Sequence, residues 1–284
     1  MEERPKWLVV KAPHPKALVN MQTIFRDLRL HTICEHAKCP NIGECFNAKT
    51  ASFMILGNTC TRSCRYCAVG EGKPSLVDQE EPVHLAQAVK TLALKHVVVT
   101  SVTRDDLPDG GAGQFTASIL SIRALNPQTT IELLIPDFQG DPRSLSTVIE
   151  AQPNILNHNI ETVPRLYPIV RPQADYLRSL WLLAQAKQLN PHVMTKSGIM
   201  VGLGESETEV LAVFRDLRAA HCDILTVGQY LRPSPHHLEV QEYVNPTVFD
   251  RYREEALTLG FKHVASGPFV RSSYKALEGI RSVT

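Results

Sequence analysis

Residues 57–67, GNTCTRSCRYC, place three cysteines on one short loop with the spacing CxxxCxxC. The loop follows an apolar run, residues 52–56, which predicts a buried strand. Three thiolates on one loop can hold three corners of a cubane iron–sulfur cluster, for which four cysteines are the usual complete set. The fourth iron then keeps an open position, as a reactive metal site requires. Cys60, Cys64 and Cys67 are therefore predicted to ligate a reactive cluster.

A structural zinc site or a disulfide pair is the alternative for this loop. Zinc loops usually supply paired CxxC motifs and four ligands, and that pattern is not found here. Six of the seven cysteines lie between positions 34 and 67, and the N-terminus lacks an apolar stretch of signal-peptide length. Together these features favour metal binding over disulfides and predict a cytoplasmic protein, because a thiolate-bound cluster needs a reducing compartment.

The composition of the chain excludes some classes of partner. The 284 residues carry a formal net charge of +1 and are 43% hydrophobic. A nearly neutral chain gives no reason to expect binding to nucleic acid or to a membrane surface. No apolar run approaches the roughly 18 residues that a membrane span needs. We therefore expect neither a nucleic-acid partner nor a membrane.

A second group of cysteines precedes the first, in the stretch CEHAKCPNIGEC. Cys34, Cys39 and Cys45 form it, and a proline and a glycine within the stretch predict a loop rather than a helix. Three more thiolates suggest a second cluster that is again one ligand short. His36 is a candidate for the missing ligand, although a lone histidine near a metal loop is more often a supporting or surface residue. The seventh cysteine, Cys222, is expected to be a small core residue.

The remaining sequence predicts an α/β fold. Residues 1–50 are expected to form an irregular extension that carries the second cysteine group, residues 51–265 a barrel, and residues 266–284 a tail. Strand-length apolar runs occur at 51–57, 96–101, 130–135, 154–160, 193–201 and 224–230. Helical patterns or caps occur at 83–94, 142–151, 207–219 and 247–259. Alternation of this kind predicts a parallel sheet with helices packed outside it.

Polar loops follow several of the predicted strands. They are SVTRDDLPDGGAG at 101–113, NHNIETV at 157–163 and GLGES at 202–206. In a parallel barrel, the loops at the carboxyl ends of the strands carry the chemistry. Taken singly, each loop has a simpler interpretation, because glycines serve turns and helix entries, and Asp105, Asp106 and Asp109 more often solvate a loop than bind a cation.

The combination of motifs resembles the lipoyl synthase family of radical S-adenosylmethionine (SAM) enzymes. The resemblance rests on both cysteine groups, on Tyr66 before the last cysteine, and on RSSY at 271–274. It extends along nearly the whole chain, including HNIETV, SGIMVGLGE and VGQYLRPS. It implies a partial (β/α)6 barrel of the TIM type with an N-terminal cluster-binding extension.

The resemblance also implies an activity and two cofactors. Two sulfur atoms are inserted at C6 and C8 of an octanoyl chain held on a lysine of a carrier protein, of the glycine-cleavage H protein or 2-oxoacid dehydrogenase E2 type. The cofactors are SAM and two 4Fe-4S clusters, and an electron donor such as ferredoxin or flavodoxin is required. Unactivated C–H bonds offer no acidic proton, so the reaction needs a radical that the cofactor supplies.

Residue roles follow from the same resemblance. Cys60, Cys64 and Cys67 would hold the cluster that binds SAM and generates the radical, and Cys34, Cys39 and Cys45 an auxiliary cluster that donates sulfur. Ser273 of RSSY would be the missing ligand of the auxiliary cluster and is grouped with the catalytic residues. The segments that match the family's SAM pocket contain Tyr66, Asn157, Asn159, Glu161, Gly202, Gly204 and Glu205.

Three rival interpretations remain open at this point. A biotin-synthase-like radical enzyme would lack the CxxxxCxxxxxC group. A two-cluster electron carrier would be compact, whereas the cysteines here occupy a small part of a long chain. A zinc-bearing nucleic-acid module would be basic, unlike this sequence. Measuring the iron and zinc content, and then the release of deoxyadenosine, would distinguish these interpretations.

Overall fold

A computed structural model describes residues 5–10 and 14–276. Residues 1–4 and 11–13 of the predicted extension, and residues 277–284 of the predicted tail, lie outside the described residues. The strands are β1 (His31–Thr32), β2 (Ser52–Ile55), β3 (Thr59–Cys60), β4 (Gly70–Glu71), β5 (His96–Ser101), β6 (Thr130–Leu134), β7 (Ile155–Asn157), β8 (Met194–Val201), β9 (Ile224–Gln229) and β10 (His263–Ser266).

Helices connect most of these strands. They are α1 (Pro15–Asp27), α2 (Ile33–His36), α3 (Ile42–Asn47), α4 (Glu81–Thr91), α5 (Ala112–Leu125), α6 (Pro142–Glu150), α7 (Tyr167–Val170), α8 (Tyr176–Leu189), α9 (Glu207–Ala219) and α10 (Pro246–Thr258). Short 3-10 turns occur at Lys6–Leu8, Phe138–Gly140 and Pro164–Leu166. Within the described ranges, we find no helix with the length and apolarity that crossing a membrane requires.

The main sheet confirms the predicted α/β architecture. Among the described residues it has eight strands in the order β1-β2-β5-β6-β7-β8-β9-β10. In this order, each strand from β2 onwards pairs in parallel with the next, and β1 pairs antiparallel with β2 at the edge. Six strand–helix units therefore lead to a last parallel strand, as in a partial barrel. All six predicted strands are present; β10 was missed, since it is short and mostly half-buried.

Several predicted helix starts are confirmed by their capping contacts. Asp141 accepts backbone hydrogen bonds at the start of α6, and Asn245 does so at the start of α10. Ser206 and Glu209 form the predicted capping box of α9. Three helices of the barrel, α5, α7 and α8, were not predicted. Helix α5 begins inside the glycine-rich loop, where Gly111 adopts φ +93° as its N-cap, a conformation that glycine tolerates.

The N-terminal extension is more regular than predicted. Helix α1 has 13 residues, and the second cysteine stretch, predicted to be a loop, contains α2 and α3. Phe25 packs edge-on against Phe46 and Phe53 with ring centroids 5.8 and 5.7 Å apart. Each such pair contributes about 0.5–1.5 kcal/mol beyond its area burial. This tertiary packing stabilises short helices that the proline and glycine would disfavour alone.

A buried ion pair lies inside the barrel. Lys196 on β8 donates to Glu132 on β6 at 2.9 Å, and Asn157 on β7 donates to the same carboxylate at 2.9 Å. Burial opposes ionisation of Glu132, but the charge of Lys196 outweighs it and lowers the pKa of the carboxyl group to about 2. The carboxylate is therefore charged at neutral pH and ties three neighbouring strands together.

Glycine is required where β9 meets the chain that follows β10. A Cβ on Gly228 would lie 2.1 Å from the carbonyl oxygen of Val270. We expect Gly228→Ala to lower the free energy of unfolding by about 1–3 kcal/mol, because the backbone must move to relieve the overlap. Urea unfolding measures this change.

The control for this prediction is Gly267→Ala in the same C-terminal segment. Its Cβ would meet Val270 Cγ2 at 3.5 Å, an ordinary contact. Equal loss of stability in the two variants would contradict the close packing of β9 against Val270.

Candidate functional site

One cavity of about 1290 Å³ brings the two cysteine groups together. Its lining includes the loops that follow β2, β5, β7, β9 and β10, together with the loops around α2 and α3. The predicted site residues that line it are Cys34, Cys39, Cys45, Cys60, Cys64, Cys67, Tyr66, Asn159, Glu161 and Ser273. Segments separated by more than 200 residues thus share one enclosed volume.

The loop of Cys60, Cys64 and Cys67 is ordered by its own backbone. Cys60 Sγ accepts hydrogen bonds from the amides of Arg62 at 3.4 Å and Thr103 at 3.3 Å. The amide of Cys67 donates to the carbonyl of Cys64 at 3.0 Å. Amide hydrogen bonds to sulfur favour the thiolate form, which is the form that binds iron.

Arg62, between the first two cysteines of this loop, clamps it to the barrel. Its guanidinium donates to both oxygens of Asp105 at 2.6 and 2.9 Å and to Asp137 at 2.6 Å. Burial alone would raise the pKa of Asp137, but the hydrogen bond and charge of Arg62 outweigh burial and hold that pKa well below its usual range. The clamp therefore joins the loops that follow β2, β5 and β6.

In the second cysteine group, Cys34 is buried and Cys39 and Cys45 are half-buried, around α2 and α3. Burial raises the pKa of Cys34 to about 12 and that of Cys45 to about 11. Burial also raises the pKa of Cys39, against the opposing effects of the Asn41 amide and the Arg271 charge. Thiols of this kind ionise when a metal replaces their protons.

The segment after β10 packs against the stretch that carries Cys34, Cys39 and Cys45. Asn41 Nδ2 donates to the carbonyl oxygen of Phe269 at 2.7 Å. Tyr274 donates through its hydroxyl to the Glu44 carboxylate at 3.0 Å. Ser273, which lines the cavity, lies in this segment. These contacts place the RSSY segment next to the N-terminal cysteines. Composition and periodicity do not reveal this contact between distant parts of the chain.

A polar group of residues that follows β7 also lines the cavity. Glu161 has a left-handed backbone, φ 66°, fixed by a bridge to Ile199 on β8. Asn159 Nδ2 donates to Glu161 Oε1 at 3.0 Å and to Ser272 Oγ at 2.6 Å. Burial raises the pKa of Glu161, with the Arg171 charge opposing it.

Two buried polar atoms in this group lack a hydrogen-bond partner in the described structure. They are Asn159 Oδ1 and Arg171 Nε. Arg171 also donates from Nη1 to the Asn159 carbonyl oxygen at 2.8 Å, and its guanidinium lies 5.3 Å from the centre of the Tyr167 ring. Orphaned buried polar atoms are uncommon, and both belong to cavity-lining residues. They fit a polar ligand such as the amino-acid part of SAM.

Four predicted SAM-pocket residues are not among the described residues that line the cavity. Asn157 is fully buried and donates to Glu132 in the barrel interior. Gly202, Gly204 and Glu205 form a helix-entry turn that is closed on itself. Glu205 accepts from the amides of Gly202 at 2.5 Å and Leu203 at 2.9 Å.

Other candidate residues have structural partners. Asp105 pairs with Arg62, Asp106 with Arg104, and Asp109 accepts from the amides of Gly111 and Gly113. His36 packs against His31 at 5.3 Å between ring centroids and does not line the cavity. Cys222 is fully buried in the core.

Two cavity-lining arginines, Arg62 and Arg171, were missed by the sequence analysis. Arg62 stands between two cysteines of the loop, and Asp105 follows the next predicted strand. An arginine between two cysteines, with an aspartate after the next predicted strand, could have indicated this ion pair. Arg171 gave no such signal, because it belongs to no motif.

The donor set fits iron–sulfur clusters. All seven cysteines are free thiols, and six line the cavity. In the described part of the chain, no three His, Cys, Asp or Glu side chains converge where a single ion would be held. A cubane presents its irons at separate corners, so its thiolates need not converge on one point.

The chain matches known proteins over its whole length. A model of the radical SAM superfamily matches residues 54–217. A lipoyl synthase of Caldanaerobacter subterraneus subsp. tengcongensis is 56% identical over 277 residues, covering 98% of this chain and 97% of the relative. A lipoyl synthase of Rubrobacter xylanophilus is also 56% identical, covering 97% of this chain and 86% of the relative.

Solved structures share the fold at low sequence identity. Methylornithine synthase superposes with a TM-score of 0.56 at 14% identity, covering 87% of this chain and 77% of that one. Streptococcus suis SuiB bound to S-adenosylmethionine gives 0.58 at 12% identity, covering 88% and 60%. These similarities support the partial barrel and nothing about the reaction.

The Arg62 clamp predicts a large stability effect. Arg62→Gln should lower the free energy of unfolding by about 3 kcal/mol, because it removes one partner of a buried ion pair. Asp137 would then have Arg178, at 3.3 Å, as its remaining ion-pair partner among the described residues. The pKa of Asp137 is lowered in the folded state, so the pair stabilises the fold above about pH 4 and loses its effect as the pH falls further. Urea unfolding at several pH values should show the two proteins converging in acid.

The matched control is Arg165→Gln. Arg165 pairs through two hydrogen bonds with Glu209, but its side chain is 56% exposed. Exposed pairs contribute little, so this variant should resemble the wild type. A similar loss in both variants, or a gap for Arg62→Gln that is independent of pH, would contradict the role given to burial.

Proposed function

This chain belongs to the lipoyl synthase family of the radical SAM superfamily, and we propose that its cavity holds two 4Fe-4S clusters facing one another. The enzyme inserts sulfur into an octanoyl chain to form the lipoyl group. The observation that carries the two-cluster proposal is the common cavity, which both cysteine groups line. Sulfur insertion of this kind would need such proximity, because the group that generates the radical and the group that donates sulfur must both reach the same substrate carbon.

In this proposal Cys60, Cys64 and Cys67 hold the cluster that binds SAM, and Cys34, Cys39 and Cys45 hold the auxiliary cluster. When bound, SAM and the two clusters supply a radical able to remove hydrogen from an unactivated carbon, and the sulfur that replaces it. The residues of the chain would bind these groups, hold them in position relative to one another and exclude water. Arg62 keeps the first cysteine loop against the barrel through Asp105 and Asp137.

The residues after β7 are proposed to bind SAM. Asn159 Oδ1 and Arg171 Nε have unused hydrogen-bonding capacity beside the cavity. Arg171 suits a carboxylate, and the Asn159 oxygen suits an ammonium group. Glu161 lies next to Asn159, and Tyr66 lies beside Glu161 and the cysteine loop. The other four predicted residues are proposed to act by positioning, since their contacts shape a strand and a turn near this pocket. They are Asn157, Gly202, Gly204 and Glu205.

Ser273 is proposed to be the fourth ligand of the auxiliary cluster. A serine oxygen is a harder ligand than a thiolate and matches iron–sulfur chemistry less well. Ser273 would therefore hold its iron more weakly than the three thiolates hold theirs. The contacts of Asn41 with Phe269, and of Tyr274 with Glu44, hold the serine-bearing segment in reach.

Partners follow from the family and stay proposals. The substrate is an octanoylated carrier protein, with the glycine-cleavage H protein and 2-oxoacid dehydrogenase E2 domains as the expected types. Ferredoxin or flavodoxin is the expected reductant. The cytoplasm is the expected location, because free thiols must stay reduced to ligate iron.

The direct test is mass spectrometry of an octanoylated lysine peptide after incubation with SAM and a reductant. Gain of two sulfur atoms with deoxyadenosine release is the expected result. Deoxyadenosine release without sulfur gain would favour another radical SAM reaction, and neither product would favour an electron carrier.

Iron content tests the assignment of the six cysteines. Reconstituted wild type should hold close to eight irons, the sum of two cubanes. Cys39→Ala should fall towards four, because it removes an auxiliary ligand. Cys222→Ala is the control: this cysteine is also buried, but it lies in the core and should leave the iron count unchanged. Zinc in place of iron would overturn the assignment.

Ser273→Cys tests the weak-ligand proposal. We expect the variant to assemble both clusters, because thiolate is a good iron ligand, and to lose at least tenfold in turnover, because the iron is held too firmly. Iron analysis checks assembly and product mass spectrometry checks turnover. Full activity in this variant would refute the idea.

A further inference from the structure

The RSSY motif forms a turn that a backbone hydrogen bond closes. The Tyr274 amide donates to the Arg271 carbonyl oxygen at 2.9 Å, so Ser272 and Ser273 are the two central residues of this turn. The backbone dihedrals of the central residues are fixed together in a closed turn. A contact that holds the Ser272 side chain therefore also restricts where the Ser273 hydroxyl can lie. Both serines are half-buried and line the cavity.

The Ser272 side chain contacts the polar group that follows β7. Asn159 Nδ2 donates to Ser272 Oγ at 2.6 Å and to Glu161 Oε1 at 3.0 Å. An amide nitrogen carries two hydrogens, so these two bonds use both of them. The contact attaches the turn that carries Ser273 to the residues that are proposed to bind SAM.

Gly198 on β8 leaves the space in which this contact forms. A Cβ at this position would lie 2.9 Å from Asn159 Oδ1 and 3.3 Å from Ser272 Oγ. Both distances are shorter than ordinary van der Waals contacts, so a side chain here would displace one or both partners. The barrel wall is therefore shaped to accommodate the pair of Asn159 and Ser272.

The same Asn159 amide group has an unused oxygen. Its Oδ1 is buried and lacks a hydrogen-bond partner in the described structure. An amide oxygen buried without a partner is costly, and the proposed function supplies the ammonium group of SAM as that partner. The oxygen and nitrogen of an amide lie in one plane, so a donor bound to Oδ1 also fixes the direction of Nδ2. Occupancy of Oδ1 therefore strengthens the hydrogen bond to Ser272.

The segment after β10 has other anchors besides Ser272. Asn41 donates to the Phe269 carbonyl oxygen at 2.7 Å, and the Tyr274 hydroxyl donates to Glu44 at 3.0 Å. These bonds hold the segment against the N-terminal extension without a contribution from Ser272. What Ser272 adds is a link between the turn and the polar group that follows β7.

We propose that Ser272 is a positioning residue that couples SAM binding at Asn159 to ligation of the auxiliary cluster by Ser273. The inference rests on the proposed function, which assigns those roles to Asn159 and Ser273. Coupling between two binding sites is reciprocal, so an auxiliary cluster bound through Ser273 strengthens SAM binding by the same factor. The serine ligand is then held most firmly when SAM is in place, and the two reacting groups are positioned together.

The test measures the Kd of SAM by equilibrium dialysis without a reductant, so that SAM is not cleaved. Wild type holds both clusters, whereas Cys39→Ala removes an auxiliary ligand and leaves the cluster that binds SAM. We expect the Kd of SAM to rise about fivefold in Cys39→Ala, a factor within the range of one hydrogen bond. Ser272→Ala should show the same rise. The double variant Cys39→Ala/Ser272→Ala should show no further rise, because both changes break the same link.

Ser266→Ala is the matched control. Ser266 lies at the end of β10, is also half-buried, and donates to the Phe249 carbonyl oxygen at 2.7 Å, but it does not line the cavity. Its removal should leave unchanged both the Kd of SAM and the effect of Cys39→Ala. Ser272→Thr keeps the hydroxyl group and should retain the wild-type coupling. Ser272→Ala should keep the wild-type Tm and close to eight irons, because the three thiolates of each cluster remain.

Four outcomes would overturn the proposal. They are an equal Kd of SAM in wild type and Cys39→Ala, rises that add in the double variant, an equal rise in Ser266→Ala, and loss of about four irons in Ser272→Ala. The last outcome would make Ser272 a residue of cluster assembly.

Failure of the proposed function looks different. In that case the wild type would lack the second set of irons, bind no SAM or insert no sulfur into the octanoyl peptide. A wild type that does all three, yet binds SAM equally well without the auxiliary cluster, would contradict the coupling alone.

Discussion

The hydrogen bond from Asn41 to the carbonyl of Phe269 joins the N-terminal extension to the segment that follows β10. One end brings Cys34, Cys39 and Cys45, and the other brings Ser273. The junction therefore brings Ser273 to the cavity that the cysteines of both groups line. The Tyr274–Glu44 contact lies on the same junction. The aromatic packing of Phe25 against Phe46 and Phe53 fixes the N-terminal partner against β2.

Buried cations balance the thiols and carboxylates around the cavity. Arg62 is held by two aspartates, and Arg171 is held by backbone carbonyls and an aromatic ring. Arg271 lies close enough to Cys39 to oppose the rise in that thiol's pKa. Charges taken out of water need partners of this quality. Near Cys39 and Cys64, the charges of Arg271 and Arg171 oppose the rise in thiol pKa that burial causes.

Left-handed backbone conformations recur around the cavity. Glu161 has one beside Asn159, and the lining residues Lys38, Lys49 and Lys275 also have one. Glu161 is fixed there by its bridge to β8, which directs its carboxylate beside Asn159. The lysines are fixed by helix-end and turn hydrogen bonds. The half-buried side chain of Glu161 thus lies against Asn159, whereas the side chains of the three lysines are exposed.

The sequence by itself determined the strand–helix alternation, the cysteine spacing and the caps at Asp141, Ser206 and Asn245. These are local properties, set by periodicity and by hydrogen bonds between near neighbours, so a single chain reveals them. The tertiary structure decided which polar loops face the cavity: Asn159 and Glu161 do, whereas Asn157 turns into the barrel, and the GLGES turn satisfies its own amides. It also decided the partners of Arg62 and turned an extension predicted to be irregular into packed helices. Those outcomes depend on contacts between residues tens to hundreds of positions apart, which no local pattern encodes.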